Sequence, residues 1–169
     1  WAAARPGIKL AEAGVDIICN PSASHFAFGK FKVRKRFVLE GSRAFGAVYL
    51  YANMLGNEAG RAIYDGGCLI ASGGELQAMG KRCSFADVEL TTAVVDLEKS
   101  RMTRGHSPRL APAQPRSTAA PEYQSCSFSL PWPTVDPEAC SAAGAAWEQS
   151  VNLKEEEFAH AVSLGLFDY

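Results

Sequence analysis

The 169 residues are 47% hydrophobic and 21% charged, with a formal net charge of −1. That is enough chain for one domain with a core, and the charge balance gives no overall pull toward nucleic acid or a membrane surface. No apolar run reaches the length of a membrane-spanning helix, and WAAARPGIKL lacks the charged start and apolar middle of a signal peptide.

RPGIKLAEAG opens the ordered pattern with Pro6 near a helix start and Gly14 at its end. VDIIC (15–19) is short and almost wholly apolar, which predicts a strand covered on both faces. A helix fits about 30–45, with Val33, Phe37, Gly41, Ala44 and Phe45 on one stripe. AVYLYANM (47–54) predicts a second buried strand. LGNEAGRAIYDGG (55–67) carries turn residues and reads as a loop. CLIASGGELQAMG predicts two strands joined at Gly73-Gly74. VELTTAVVDL (88–97) is rich in β-branched residues and predicts a last strand. This order predicts a layered α/β domain with a mixed sheet.

Beyond Arg104 the character changes. SPRLAPAQPRSTAAP reads as a linker. SFSLPWPTVDP is expected to dock on a surface through Phe128, Leu130 and Trp132. In the last nineteen residues Asn152 can cap a helix, and Glu155, Glu156 and Glu157 suit its first turn. Phe158, Ala161, Val162, Gly165 and Leu166 then make an apolar stripe that needs a partner. A further domain is expected beyond Tyr169.

The stretch NPSASHFAFGKFKVRKRF (20–37) carries the chemistry. It leaves a strand at its carboxyl end, where open α/β sheets bind ligands. Asn20, Ser22 and Ser24 can donate and accept hydrogen bonds, which suits an amide or an amino-acid head group. Lys30, at the start of the next helix, can reach a carboxylate. Hydroxyls after a strand also commonly cap a loop or the next helix, and the residues alone leave both readings open. Lys32, Arg36 and Arg43 fall on one helix face and read as solvated surface. Without interleaved aromatics they do not make a nucleic-acid site. His25 reads as a loop histidine, and Asp65-Gly66-Gly67 as a turn before a strand.

The five cysteines are Cys19, Cys68, Cys83, Cys126 and Cys140. An odd count with no C-x-x-C spacing argues against a zinc site and a disulfide framework. Cys19 and Cys68 read as small buried hydrophobes, and a reduced, cytoplasmic chain is expected. No Gly-rich phosphate loop or metal-ligand set occurs in the sequence.

NPSASHFAFGK, VRKRF, YANMLGNEAGRAIYDGGCLIASGGEL and SFADVELTTAVVDL together resemble the later half of a carbon–nitrogen hydrolase (nitrilase-type) domain. The specific version is similar to the glutaminase domain of glutamine-dependent NAD⁺ synthetases. KEEEFAHAVSLGLFDY resembles the helix that opens the synthetase domain in the same family. The resemblance implies a partial α-β-β-α sandwich over 1–104, a linker over 105–150 and the isolated start of the synthetase domain over 151–169. It implies that a Glu, a Lys and a Cys hydrolyse glutamine, and that the ammonia converts deamido-NAD⁺, activated by ATP with Mg²⁺, to NAD⁺. None of the five cysteines fits the family's Cys-Glu-x-x-Trp motif. The triad is therefore expected upstream of Trp1, and this chain is expected to be inactive and to bind no cofactor of its own. Ser24 and Lys30 match residues that hold glutamine, with Asn20 and Ser22 shaping the loop. A homo-oligomer is implied at full length, with the missing half-domain and the synthetase domain as partners. A fragment of another amidase and a non-catalytic interaction module are the alternatives.

Overall fold

The computed structural model describes residues 5–105, 124–129 and 144–169. Helix α1 (Gly7–Glu12) leads into strand β1 (Ile17–Ser22), helix α2 (Lys30–Phe45) and strand β2 (Val48–Asn53). Strands β3 (Leu55–Glu58), β4 (Ala62–Asp65), β5 (Cys68–Ser72) and β6 (Glu75–Met79) follow. Helix α3 (Leu97–Gly105), a single 3-10 turn (Ala146–Gln149) and helix α4 (Leu153–Phe167) complete the described elements.

The main sheet has the order β1-β2-β5-β6. β1 and β2 are parallel, with α2 as the crossover that parallel pairing requires. β2–β5 and β5–β6 are antiparallel. The mixed α/β sheet and the helix over 30–45 are as the sequence predicts, and so is the hairpin. Gly73 and Gly74 have φ of 62° and 89°, the two left-handed positions that a tight two-residue hairpin demands. Helix α2 lies on one face of the sheet, and its Phe31 and Val38 pack with Tyr51, Leu69 and Ala71. A second cluster joins Ala11 of α1, Ile18, Phe45 and Ala47.

Several expectations are corrected. The stripe of α2 is rotated from the predicted one: Phe31, Arg34, Val38, Gly41, Ser42 and Phe45 are buried, while Val33 is 41% exposed. Strand β1 is an edge strand with alternating burial, so it is not covered on both faces. Its register puts Cys19 opposite Leu50 and Asn20 opposite Tyr51, on opposite faces. Cys19 thus lies on the face away from Asn20 and is exposed, and Cys68 is half-buried; neither is a buried hydrophobe. The edge position also explains Pro21 inside a strand, where its missing N–H costs no ladder bond.

The segment 55–67 is no plain loop. Strands β3 and β4 form a separate two-stranded sheet. Residues 88–96 form no strand and lead into α3. β-branched composition alone does not make a strand, because a ladder also needs a neighbour in register. α3 is anchored instead by charge: Arg101 and Arg104 both bond Asp16, and Arg104 also donates to the carbonyl of Val15.

The C-terminal helix is not isolated. α4 packs on β3 and β4, and Asn57 donates to the carbonyl of Gly165 at 3.0 Å. Its buried positions are Glu157, Ala161 and Leu164, so the predicted stripe is again rotated. Phe158, Val162 and Leu166 are exposed. Phe128, expected to dock, is 82% exposed, and Leu130 and Trp132 lie outside the described residues.

Candidate functional site

Asn20 and Ser22 stand on β1 itself, not in the loop after it. The loop proper runs over 23–29. Its entry is held by β2 and the residue that follows it: Met54 N–H donates to the Ser22 carbonyl, and Ser24 N–H to Asn53 Oδ1 at 2.8 Å. The Asn53 amide returns the bond to the Ser24 carbonyl at 3.0 Å. Asn20 donates to the Tyr49 hydroxyl at 2.9 Å. These contacts hold Ser24 through its backbone. Phe26 N–H bonds the carbonyl of Ile63, which ties the loop to β4.

The exit is held by cations. Lys30 Nζ donates to the His25 carbonyl at 2.9 Å, so Lys30 folds back on its own loop. Burial lowers its hold on the proton, and the neighbouring Arg34 charge adds to that effect. Arg34 donates from one nitrogen to the carbonyls of both Ser24 and His25 at 3.0 Å. A loop carbonyl turned inward needs such donors, because an unpaired buried polar group is costly.

Arg34 belongs to the basic run but not to the face of Lys32, Arg36 and Arg43 that reads as surface. It is 1% exposed and bonds Asp65 at 2.8 Å, with Asp65 equally buried. Asp65 therefore does more than begin a turn. Its second oxygen lies 3.5 Å from Arg82, which reaches Glu148 at 2.7 Å and Glu157 at 3.0 Å. The Arg82 guanidinium lies over the rings of Phe31 and Trp147, 4.3 and 4.8 Å from their centroids. Burial works against its charge, but the bonds to Glu148 and Glu157 outweigh that, so it holds its proton more firmly than a free guanidinium. Lys30, Arg34 and Arg82 balance Asp65, Glu148 and Glu157 in charge. Such balance is what allows ions to be buried at all.

The sequence reading missed Arg34, Asp65, Arg82, Glu148, Glu157 and Asn53. One signal was present: Phe31, Arg34 and Val38 fall at i, i+3 and i+7, so a cation stood on the apolar face.

No described thiol is set up to attack. Cys83 is buried near Asp65, Arg82, Glu148 and Glu157, but burial, helped by these carboxylates, pushes it up to about 12. A thiol held protonated is a poor nucleophile. Burial also raises Cys68. Among the described residues no group of three or more His, Cys, Asp or Glu could hold a metal ion. Among them, too, no helix is long and apolar enough to cross a membrane.

No family model matches the chain. It is 34% identical to a glutamine-dependent NAD(+) synthetase of Saccharomyces cerevisiae, over 97% of this chain and 23% of that protein. It is 34% identical to the Homo sapiens protein of the same name, over 81% of this chain and 20% of that one. A crystal structure of a glutamine-dependent NAD(+) synthetase from Cytophaga hutchinsonii is 49% identical over 47% of this chain and 14% of that chain, with a TM-score of 0.45. The chain thus spans about a quarter of the length of the yeast relative, and as such a segment it belongs to the glutamine-dependent NAD(+) synthetase family.

Proposed function

We propose that this chain is part of the portion of a glutamine-dependent NAD⁺ synthetase that hydrolyses glutamine and supplies ammonia. The ammonia would be used to convert deamido-NAD⁺ to NAD⁺ at the expense of ATP. The observation that carries this reading is the 34% identity over 97% of the chain to the yeast relative. In this reading residues 1–104 are the later half of a carbon–nitrogen hydrolase sandwich, 105–150 a linker and 151–169 the start of the synthetase domain.

Ser24 and Lys30 hold the amino-acid part of glutamine, and Asn20 and Ser22 shape the strand end beneath it. Their support is chemical. Ser24 is fixed through its backbone, so its hydroxyl is a placed donor and acceptor. Lys30, the first residue of α2, brings its cation back to the same loop at the His25 carbonyl. The attacking thiolate and its Glu and Lys partners are not among these residues. Orientation without a nucleophile and an oxyanion donor gives no hydrolysis. The working enzyme is cytoplasmic and homo-oligomeric.

The test is a titration of the purified chain with L-glutamine, followed by amide NMR shifts at Ser24, Phe26 and Lys30. Ser24→Ala and Lys30→Met each weaken the response, and Lys32→Ala leaves it unchanged. Ammonia release stays at the blank. Hydrolysis by the chain itself, or a response indifferent to both site substitutions, defeats the reading.

A further inference from the structure

Two segments far apart in sequence meet through one carboxylate. On one side is loop 23–29, whose Ser24 and His25 carbonyls are both held by Arg34. A fully buried guanidinium needs a counter-charge, and Asp65 supplies it at 2.8 Å. On the other side of Asp65 stands Arg82, at 3.5 Å, bonded in turn to Glu157 on α4. The other oxygen of Glu157 accepts from Gly29 N–H at 3.4 Å, one residue before Lys30. The line of charge leaves the loop at Ser24, crosses to α4 and returns to the loop at Gly29.

We infer that Arg34 is the positioning residue of loop 23–29, and that the chain Asp65–Arg82–Glu157 makes its hold depend on the seating of α4. This deepens the proposed function and rests on the reading of Ser24 and Lys30 as glutamine contacts. Asp65 is shared unequally between two guanidinium groups, tightly with Arg34 and loosely with Arg82. Glu148 holds Arg82 through Nε at 2.7 Å, and with Glu157 in place Nη1 is drawn to Glu157 at 3.0 Å and only loosely to Asp65 at 3.5 Å. With the Glu157 charge gone, Arg82 is drawn toward Asp65 and competes for it. Arg34 then loses its anchor, and the two carbonyls lose their common donor. Lys30 shares the His25 carbonyl, so it shifts with them. A seated α4 therefore prepares the loop before any ligand arrives, which removes an ordering cost from binding.

The experiment is amide hydrogen exchange on the whole 169-residue chain, read at Ser24 and Phe26 in the loop and at Tyr51 and Leu69 in the sheet. Glu157→Gln keeps the shape and removes the charge. It is expected to speed exchange at the two loop amides about tenfold and to leave the sheet amides alone. Asn57→Ala removes another bond to α4, the one to the Gly165 carbonyl, without touching the ion chain. It is expected to leave the loop unchanged. Should Glu157→Gln unfold, Arg34→Lys is the second variant. Its single ammonium cannot hold Asp65 and both carbonyls together, so the loop alone loosens. Loop exchange that stays slow in Glu157→Gln or Arg34→Lys, or that rises equally in Asn57→Ala, overturns the inference. A loop that loosens as expected in a chain that binds no glutamine upholds the relay and defeats the glutamine reading.

Discussion

Arg34 and Asp65 face each other at 2.8 Å, 31 positions apart, and each is 1% exposed. Their pairing joins α2 to the end of β4 and so links the main sheet's cover to the small sheet. An ion pair in this setting is worth little against an apolar pair of equal volume, but breaking it on one side strands a charge. Asp65→Ala is therefore expected to cost about 3–5 kcal/mol. The double change Arg34→Met with Asp65→Leu is expected to cost far less, because no charge is orphaned and Arg82 keeps Glu148 and Glu157. Urea midpoints of the three chains at constant slope decide this. Equal losses in the single and double variants would show that the pair is not what the single change breaks.

Asp16 is clamped by Arg101 and Arg104 of α3. The Arg101 bond, opposed by burial and aided by Arg104, lowers its pKa from 3.8 to about 2. A carboxyl lowered on folding stabilises the fold above its unfolded value. That contribution is present above pH 3.8 and is lost as pH falls toward 2. Asp16→Asn is expected to flatten this part of the stability–pH curve and to free α3 first. Salt is expected to shrink the difference between the two chains, since the clamp is partly open to water. Stability followed by α3 amide exchange between pH 5 and 2.5 checks the sign, and an unchanged acid limb in Asp16→Asn contradicts it.

The thiols are expected to separate by burial. Cys19 and Cys126 are exposed, Cys68 is half-buried and Cys83 is buried with its pKa pushed up to about 12. Iodoacetamide at pH 8, read by peptide mass spectrometry, is expected to label Cys19 and Cys126 first and Cys83 only after urea is added. Early labelling of Cys83 in the native chain would mean that its cover opens readily.

Much of the fold could be read along the chain because it is local. α2 fills the span predicted from its periodicity, and the Gly73-Gly74 hairpin closes where two residues with positive φ stand between apolar runs. β2 follows from a run that is apolar at nearly every position. The segment 88–97 shows the limit. Its composition favours a strand, but a strand also needs an edge to pair with, and that is a property of the sheet. β3 and β4 were hidden for the opposite reason: each has four residues, and turn-forming glycines surround them.

The sequence by itself determined the family, the elements with strong period and the loop between β1 and α2. Tertiary structure alone decided which face of α2 and α4 turns inward, because several near-equal stripes exist on each helix and the choice falls to what lies opposite. On both helices that choice buried a charged residue, Arg34 on α2 and Glu157 on α4. A buried charge persists only where its counter-charge arrives from another part of the chain. Asp65, Arg82 and Glu148 come from positions no short window contains.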